Sequence, residues 1–205
     1  MKLYYVHDPM CSWCWAFRPI LLELKHKLPK NMEFVRLLGG LATDSDELMP
    51  DETKQYVIYN WRRIQQQLPE TEFNYDFWSS CQPRRSTYPA CRAVIAARKQ
   101  GPQYDEVMTY TIQQAYYLQA RNPSDNVTLI ELAQEIGLDT HQFSQDLLSD
   151  EVEKELCQEL NSARRLQLNS FPGFLLSDGE YKLHINPDYH QADTILEKIH
   201  QADLG

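Results

Sequence analysis

The sequence predicts an α/β fold in which both ends of the chain contribute to one sheet. Three observations support this prediction: a strand–helix–strand pattern opens the chain, two strands and a helix close it, and the signals in between are nearly all helical. We therefore expect residues 1–43 and 169–205 to form one domain. Residues 44–168 would form a large all-helical insertion between the second and third strands.

The opening segment has the pattern β-α-β. Residues 2–6, KLYYV, combine aromatic and β-branched side chains as strands do, and a turn signal follows at Asp8-Pro9. Apolar residues then recur at helical spacing from Cys14 onward, and residues 32–38, MEFVRLL, predict a second strand. Two strands joined by one helix favour a parallel pair.

The closing segment returns to strands. Residues 173–177, GFLLS, are followed by Asp178-Gly179, a strong hairpin signal, and by a second strand at 181–185, YKLHI. We expect the turn residues 186–188, Asn-Pro-Asp, to start a final helix. Between the two ends, apolar stripes predict several helices, among them a long amphipathic one with Val152, Leu156, Leu160 and Ala163 inward.

Composition places the 205-residue chain among ordinary globular proteins, with 42% hydrophobic and 24% charged residues. The formal net charge is −9, and no cluster of Lys and Arg is present to neutralise a phosphate backbone, which argues against nucleic-acid binding. No apolar run approaches the length of a membrane span, about 18 residues. The N-terminus lacks the apolar region of a secretory signal, so we expect a cytoplasmic protein.

Five cysteines are present, and Cys11 and Cys14 form a CxxC pair where the first strand runs into a helix. A zinc site needs four ligands, and no second pair with suitable spacing accompanies this one. A structural disulfide across so small a loop removes little unfolded-state entropy. The third possible interpretation is a redox pair, which the strand–helix context favours.

The start of a helix suits a reactive thiol. Unpaired backbone N–H groups and a partial positive charge stabilise the anionic sulfur there. Cys11 is therefore expected at the exposed helix tip, where it attacks a partner sulfur. Cys14, about one turn further in, would then displace the mixed disulfide.

The segment DPMCSWCWAF, residues 8–17, resembles the active site of the DsbA-like branch of the thioredoxin superfamily. The likeness is strongest to cytosolic, FrnE-like predicted protein-disulfide isomerases. SFPGFLL, residues 170–176, is similar to the cis-proline loop of that family, STYPACRAV, residues 86–94, resembles a helix packed near its active site, and Pro19 falls where its active-site helix is often kinked. The resemblance covers nearly the whole chain and implies a thioredoxin-like fold.

The resemblance also implies roles for single residues. Cys11 would be the nucleophile and Cys14 the resolving thiol. Pro172 would have a cis bond beside the pair, and Phe171 would offer its backbone to an extended substrate. Ser12 and Trp13, between the cysteines, would tune the redox potential and contribute to the substrate surface.

The sequence departs from the family pattern at the position of a proton relay. A buried acid often lies six residues before the first cysteine as a proton relay, and this chain has Tyr5 there. His7 and Asp8 are alternative relays, although each also has a simpler reading as a strand-end or turn residue. We expect Cys91 and Cys157 to be structural and Cys81 to be the strongest candidate for a further reactive thiol.

These observations predict a thiol–disulfide oxidoreductase that reduces or isomerises protein or peptide disulfides. A thiol reductant such as glutathione or a thioredoxin system would restore the pair. No metal or organic cofactor is expected, although Arg84-Arg85 could bind glutathione as a co-substrate. Two alternatives stay open: a glutathione-dependent transferase or isomerase of small molecules on the same fold, and a non-enzymatic chaperone or peptide-binding protein.

Overall fold

A computed structural model describes residues 1–203 and shows one four-stranded mixed sheet within them. The strand order is β2-β1-β3-β4, with β1 parallel to β2 and antiparallel to β3, and β3 antiparallel to β4. The predicted α/β fold and the single sheet built from both chain ends are confirmed. The strands are β1 (Lys2–His7), β2 (Glu33–Leu38), β3 (Gly173–Ser177) and β4 (Lys182–Ile185).

The other regular elements of the described residues are helices. The first follows β1, the last follows β4, and the others lie between β2 and β3, where the sequence predicts a helical insertion. They are α1 (Ser12–Lys27), α2 (Asp51–Gln67), α3 (Phe77–Ser80), α4 (Tyr88–Lys99), α5 (Tyr104–Tyr117), α6 (Asn126–Glu135), α7 (Thr140–Leu147), α8 (Asp150–Arg165) and α9 (Asp193–Asp203). No helix among residues 1–203 combines the length and the apolar character needed to cross a membrane.

The chain forms two compact units, a sheet unit of residues 1–39 with 159–203 and a helical unit of residues 40–158. The second boundary falls inside α8, ten residues before the one we expected at 168/169. The last turns of α8 belong to the sheet unit because the Glu159 carboxylate accepts a hydrogen bond from the Leu38 N–H at 2.7 Å. Ala163 also packs there, against Val6 and Leu175.

The sheet unit buries both faces of β1. Alternate residues of a strand point to opposite faces, so Leu3 and Tyr5 pack with α1 and α9, whereas Val6 faces the other way. Burying such a side chain contributes about 1.5–3 kcal/mol. The face shared with α1 and α9 is completed by Phe17, Ile20, Leu21, Leu24, Phe174, Leu176, Ile185, Ala192, Ile195, Leu196 and Ile199.

The helical unit is organised around α4, which contacts α5, α6 and α7. Four of the twelve residues of α4 are buried alanines, Ala90, Ala93, Ala96 and Ala97, and these small residues allow neighbouring helices to approach closely. In the same unit, Trp61 of α2 is fully buried and lies within 6.3 Å, ring centroid to centroid, of a set of aromatic side chains. The set comprises Phe73, Tyr75, Phe77, Trp78, Tyr116 and Tyr117.

The last helix begins later than the sequence suggests. We expected it directly after residues 186–188, but α9 starts at Asp193. The Asp188 carboxylate accepts hydrogen bonds from the backbone N–H groups of His190 and Gln191, at 2.8 and 3.2 Å. Asp188 thus closes a separate turn, a common use of aspartate, and the helix follows that turn.

Candidate active site

The turn after β1 places Cys11 at the start of α1. The Asp8 carboxylate accepts a hydrogen bond from the Met10 N–H at 2.7 Å, and the Asp8 carbonyl accepts one from the Cys11 N–H at 3.0 Å. Asp8-Pro9 favours such a turn because the aspartate side chain bonds to the backbone two residues on. Cys11 has extended backbone angles, φ −83° and ψ 115°, and occupies the N-cap position before Ser12.

The electrostatics of this helix start favour an anionic sulfur. The first turn of α1 carries no acidic residue, and no side chain among residues 1–203 caps it. Its backbone N–H groups therefore keep their partial positive charge for an anion placed at the helix tip. A thiolate on Cys11 is such an anion.

Cys14 lies one turn into α1, with 2% of its surface exposed. Cys11 is also buried, with 6% of its surface exposed, so the expectation that it is exposed at the helix tip is wrong. Burial raises the pKa of the Cys14 thiol well above its usual range, and the hydrogen bond with Cys11 and the charge on Cys11 raise it further. A hydrogen bond from the Asp8 backbone N–H acts in the opposite direction. The surroundings of Cys14 therefore favour its protonated form.

The loop before β3 lies beside Cys11. The register pairs Val6 of β1 with Gly173 of β3, so the residues that precede β3 reach the end of β1 where α1 begins. The Phe171–Pro172 peptide bond is cis, as the family resemblance implies. The Cys11 thiol donates a hydrogen bond to the Phe171 carbonyl oxygen, with an S–O distance of 3.5 Å.

Gly39 makes room for the Phe171 ring. A Cβ atom on Gly39 would lie 1.9 Å from Cε1 of that ring, well inside any contact distance. The backbone of Gly39 is fixed by a hydrogen bond from its N–H to the His7 carbonyl at 2.7 Å. A glycine at this position therefore lets the Phe171 segment approach the end of β2, a role that the sequence alone does not reveal.

His7 and Asp8, the two predicted proton relays, are both buried, with 1% and 0% of their surfaces exposed. The His7 ring stacks on Tyr5 at a centroid distance of 5.2 Å and an interplanar angle of 6°. The Asp8 charge acts on Cys14, where it opposes ionisation of the thiol. The structure thus brings Asp8 to Cys14, and the relay role of both residues stays a prediction.

Aromatic side chains line the other side of the pair. Ser12 and Trp13 are half-buried, and the Trp13 ring meets the ring of Tyr189 edge-on at 5.1 Å. Tyr189 in turn contacts Phe17 of α1 at 5.5 Å. Burial raises the pKa of the Tyr189 hydroxyl, and the charges of Cys14 and Cys11 raise it further, so this tyrosine lies close to both sulfurs.

Tyr189 is the site residue that sequence reasoning missed. It lies in the loop between β4 and α9, and no motif marks it. Tyr5, which sequence reasoning treated only as a missing acid, also lies near the pair: burial raises the pKa of its hydroxyl well above the usual range, and the charge of Cys14 raises it further. The sequence signal that could have identified Tyr5 is its position six residues before Cys11, where the family often has a buried acid.

The remaining cysteines lie in the helical unit. Cys91 is fully buried in α4, as predicted for a core residue. Cys157 is exposed on α8, so the prediction that it is a structural residue is not supported by packing; its thiol points to the Glu153 carboxylate at 3.6 Å. Cys81 donates to the Ala120 carbonyl at 3.0 Å, and burial raises its pKa, which lowers its reactivity.

Arg84 lines a cavity of about 610 Å³ in the helical unit. Its guanidinium donates to the Asp125 carboxylate and, at 2.7 Å, to the Ser124 carbonyl. The glutathione-binding role considered for Arg84-Arg85 stays a prediction. Within residues 1–203, no group of three or more His, Cys, Asp or Glu side chains is arranged to hold a metal ion.

Curated relatives match most of the chain at low identity. The ClpXP adapter protein SpxH of Halalkalibacterium halodurans is 26% identical over 179 residues, and that of Bacillus subtilis is 23% identical over 172 residues. These alignments cover 85% and 84% of this chain. The chain spans little more than half the length of these relatives, 58% and 56%.

Solved structures share the fold over its whole length. A Nitrosomonas europaea protein, provisionally called a protein disulfide isomerase, superposes with a TM-score of 0.84 at 21% identity and covers 98% of this chain and 96% of its own. The cytosolic disulfide reductase DsbM of Pseudomonas aeruginosa gives a TM-score of 0.77 at 22% identity, with both chains fully covered. A family model described as thioredoxin matches residues 4–193. The chain therefore belongs to the thioredoxin family and has the DsbA-like form of its fold.

Proposed function

We propose that the protein is a thiol–disulfide oxidoreductase that acts through Cys11 and Cys14. The observation that carries this proposal is the different setting of the two thiols. Cys11 occupies the N-cap of α1 and its sulfur lies 3.5 Å from the Phe171 carbonyl oxygen, whereas Cys14 lies one turn further in and is the more buried thiol. This difference supports Cys11 as the attacking thiol and Cys14 as the resolving thiol.

The reaction passes two electrons to the substrate disulfide. The Cys11 thiolate attacks one substrate sulfur, and the other substrate sulfur leaves as a thiolate that takes a proton from water. Cys14 then loses its proton to water and attacks the Cys11 sulfur, which releases the second substrate thiol. The Cys11–Cys14 disulfide forms and the substrate disulfide is reduced.

The loop at Phe171 and Pro172 supports an extended peptide as the substrate. A backbone carbonyl beside the attacking sulfur is suited to pair with a peptide N–H, as in strand addition. Half-buried Trp13 offers an apolar contact on the other side of the pair. We therefore infer that protein or peptide disulfides are the substrates, for reduction or isomerisation.

A thiol reductant must return the pair to its dithiol form. A structure of DsbM from Pseudomonas aeruginosa with GSH superposes on this chain with a TM-score of 0.74 and 21% identity. This likeness supports glutathione as the reductant, with a thioredoxin system as the other candidate. In the cytoplasm, where we place the protein, the glutathione pool favours dithiols and therefore reduction over net oxidation.

Replacing each cysteine by serine tests the proposal. Cys11→Ser removes the nucleophile and is expected to abolish reduction of a disulfide-bonded protein. Cys14→Ser keeps the nucleophile but cannot resolve, so a covalent Cys11–substrate complex is expected on non-reducing gels. Cys157→Ser, which changes an exposed thiol outside the CxxC pair, is the matched control. The proposal is wrong if both Cys11→Ser and Cys14→Ser reduce disulfides at the rate of the unaltered protein.

The adapter name of the curated relatives favours a second candidate, a protein-binding role that needs no thiol chemistry. The double variant Cys11→Ser/Cys14→Ser separates the two. If it prevents aggregation of unfolded proteins as well as the unaltered chain, binding is independent of the thiols. The intact CxxC argues against the third reading, a small-molecule glutathione transferase, which retention on immobilised glutathione would support.

A further inference from the structure

We propose that Tyr189 holds the Trp13 ring beside the cysteine pair and thereby makes it the contact for an apolar side chain of the substrate. This inference rests on the proposed function and names its substrate class, peptide disulfides with an apolar residue next to the cysteine. Tyr189 is a positioning residue, since it acts through Trp13. It takes no part in the transfer of electrons.

The topology of the sheet brings the loop of residues 186–192 to the site. β4 runs antiparallel to β3 and ends at Ile185, opposite Phe174. The residue before Phe174, Gly173, pairs with Val6, and β1 ends one residue later, before the turn into α1. The loop that follows β4 therefore starts at the same end of the sheet as α1.

A turn and the core fix Tyr189 within this loop. The Asp188 carboxylate accepts hydrogen bonds from the N–H groups of His190 and Gln191, so Tyr189 lies inside a closed turn. Pro187 restricts the backbone just before that turn. The Tyr189 side chain packs against the apolar core of the sheet unit. Its backbone and its ring are thus both held in place.

The Tyr189 ring contacts both Trp13 and a residue of the core. It meets the Trp13 ring edge-on at a centroid distance of 5.1 Å and an interplanar angle of 63°. It meets Phe17, one turn further along α1, at 5.5 Å and 85°. Phe17 is fully buried and contacts Phe174 of β3 at 5.5 Å. Edge-on contacts at such distances are favourable for aromatic pairs, so these rings connect Trp13 to a packed core.

Trp13 is the half-buried aromatic residue between the two cysteines. It lies in the first turn of α1, and both Cys11 and Cys14 are buried while part of Trp13 is accessible. Its ring therefore offers apolar surface next to the pair. A ring that is already held loses little conformational freedom when a substrate packs on it, so a held ring binds more tightly than a free one.

An apolar side chain suits this surface better than a polar one. The rings of Trp13, Phe17 and Tyr189 carry no charge, and burial of apolar surface against them is favourable. A polar side chain placed there would lose its water without gaining a hydrogen-bond partner. We therefore expect a phenylalanine next to the substrate cysteine to speed the reaction relative to a serine.

The test uses two peptides that each form a mixed disulfide with a coloured aryl thiol. They differ at one residue beside the cysteine, which is phenylalanine in one peptide and serine in the other. The protein is fully reduced and carries Cys81→Ser and Cys157→Ser, so that the Cys11–Cys14 pair is the reacting one. Cys11 attacks the peptide sulfur and the aryl thiolate leaves, so the colour reports this step without an added reductant.

Tyr189→Leu keeps an apolar side chain against the core but removes the ring that meets Trp13. We expect it to raise KM and lower kcat/KM for the phenylalanine peptide about three- to tenfold, and to leave the serine peptide unchanged. Tyr189→Phe keeps the ring and should retain the full preference. Tyr181→Leu is the matched control, because Tyr181 is exposed and follows the opposite end of β3.

A double variant shows whether Tyr189 acts through Trp13. Trp13→Ala should lower the preference at least as much as Tyr189→Leu does, and the combined variant should lower it no further than Trp13→Ala alone. The proposal is overturned if Tyr189→Leu keeps the preference, slows both peptides equally, or adds its effect to that of Trp13→Ala.

A second measurement applies even if Tyr189→Leu fails to fold. The Cys11→Ser/Cys14→Ser protein, labelled with fluorotryptophan, binds the peptides without reacting. Its Trp13 fluorine resonance should shift more on addition of the phenylalanine peptide than of the serine peptide, and irradiation of the Tyr189 ring protons should change its intensity. Equal shifts, or no effect of the irradiation, would overturn the proposal.

The outcomes separate this inference from the proposed function. If the protein with both cysteines of the pair releases no aryl thiolate from either peptide, the thiol–disulfide function is wrong and this inference is wrong with it. Release from both peptides at equal rates would contradict only the assignment of Trp13 and Tyr189.

Discussion

At the scale of single residues, the two cysteines have different surroundings. Cys11 lies at the N-terminal tip of α1, whereas Cys14 lies three residues further along, inside the helix, and is the more buried thiol. The order of events in the proposed reaction follows from this difference. The pair and the Phe171–Pro172 loop could be found from the sequence, since both are local motifs. Tyr189 could not, because only the tertiary fold brings it to the sulfurs.

The raised pKa of Cys14 predicts how stability depends on pH. The unfolded chain loses this thiol proton first, near the ordinary value of about 8.5, while the folded chain keeps it. The free energy of unfolding of the reduced protein should therefore fall as the pH rises from that value towards the folded pKa. In urea denaturation across this pH range, the free energy of unfolding of Cys14→Ser should decline less steeply than that of the unaltered protein. Identical slopes for both proteins would contradict the raised pKa.

Gly39 offers a second prediction at this scale. Gly39→Ala forces the Phe171 ring away from β2 and should cost about 1–3 kcal/mol of the free energy of unfolding, the range of an overpacked site. Removing the ring relieves the clash, so the double variant with Phe171→Ala should be more stable than the sum of the single effects predicts. Additive effects in denaturation experiments would show that the contact is absent.

At the scale of elements, β1 and α1 together build the site. The strands could be predicted almost to the residue because apolar alternation and turn signals bound them. The start of α9 was predicted too early because Asp188 closes a turn with two backbone N–H groups, and a turn residue and a helix N-cap look alike in sequence.

The first turn of α1 has no acidic residue. We therefore predict that introducing one there raises the stability of the helix and lowers the reactivity of Cys11. Ser12→Asp should stabilise the helix by about 0.3–1 kcal/mol, because a negative charge suits a helix N-terminus. It should also slow attack of Cys11 on a disulfide severalfold, since it repels the thiolate. The asparagine of Ser12→Asn has a similar shape to aspartate but no charge, so this variant should slow the attack of Cys11 less. An equal effect of both variants, unchanged by salt, would exclude the electrostatic explanation.

At the scale of the whole molecule, the candidate site belongs entirely to the sheet unit. Both cysteines, the Phe171–Pro172 loop and the two tyrosines lie in residues 1–39 and 159–203. Helical periodicity was enough to predict the insertion, but not that its last helix would be divided between the units. That division depends on Glu159 and Ala163, whose partners are distant in sequence.

The helical unit has a core of its own, and Trp61 is its most connected aromatic residue. Trp61→Ala should lower the free energy of unfolding by about 3–5 kcal/mol, as truncation of a buried tryptophan does. Tyr59→Ala, on the exposed face of the same helix, should change it by less than about 0.5 kcal/mol. Equal losses in denaturant titrations would contradict the packing described for Trp61.

The most direct test of the central claim is the equilibrium reduction potential of the Cys11–Cys14 pair, titrated against glutathione with thiol counting by mass spectrometry. We predict that the pair closes to a disulfide with a potential nearer to that of thioredoxin, about −270 mV, than to that of DsbA, about −120 mV. A value near that of DsbA would contradict the reductase direction. A pair that never closes at any glutathione ratio would contradict the thiol–disulfide function itself.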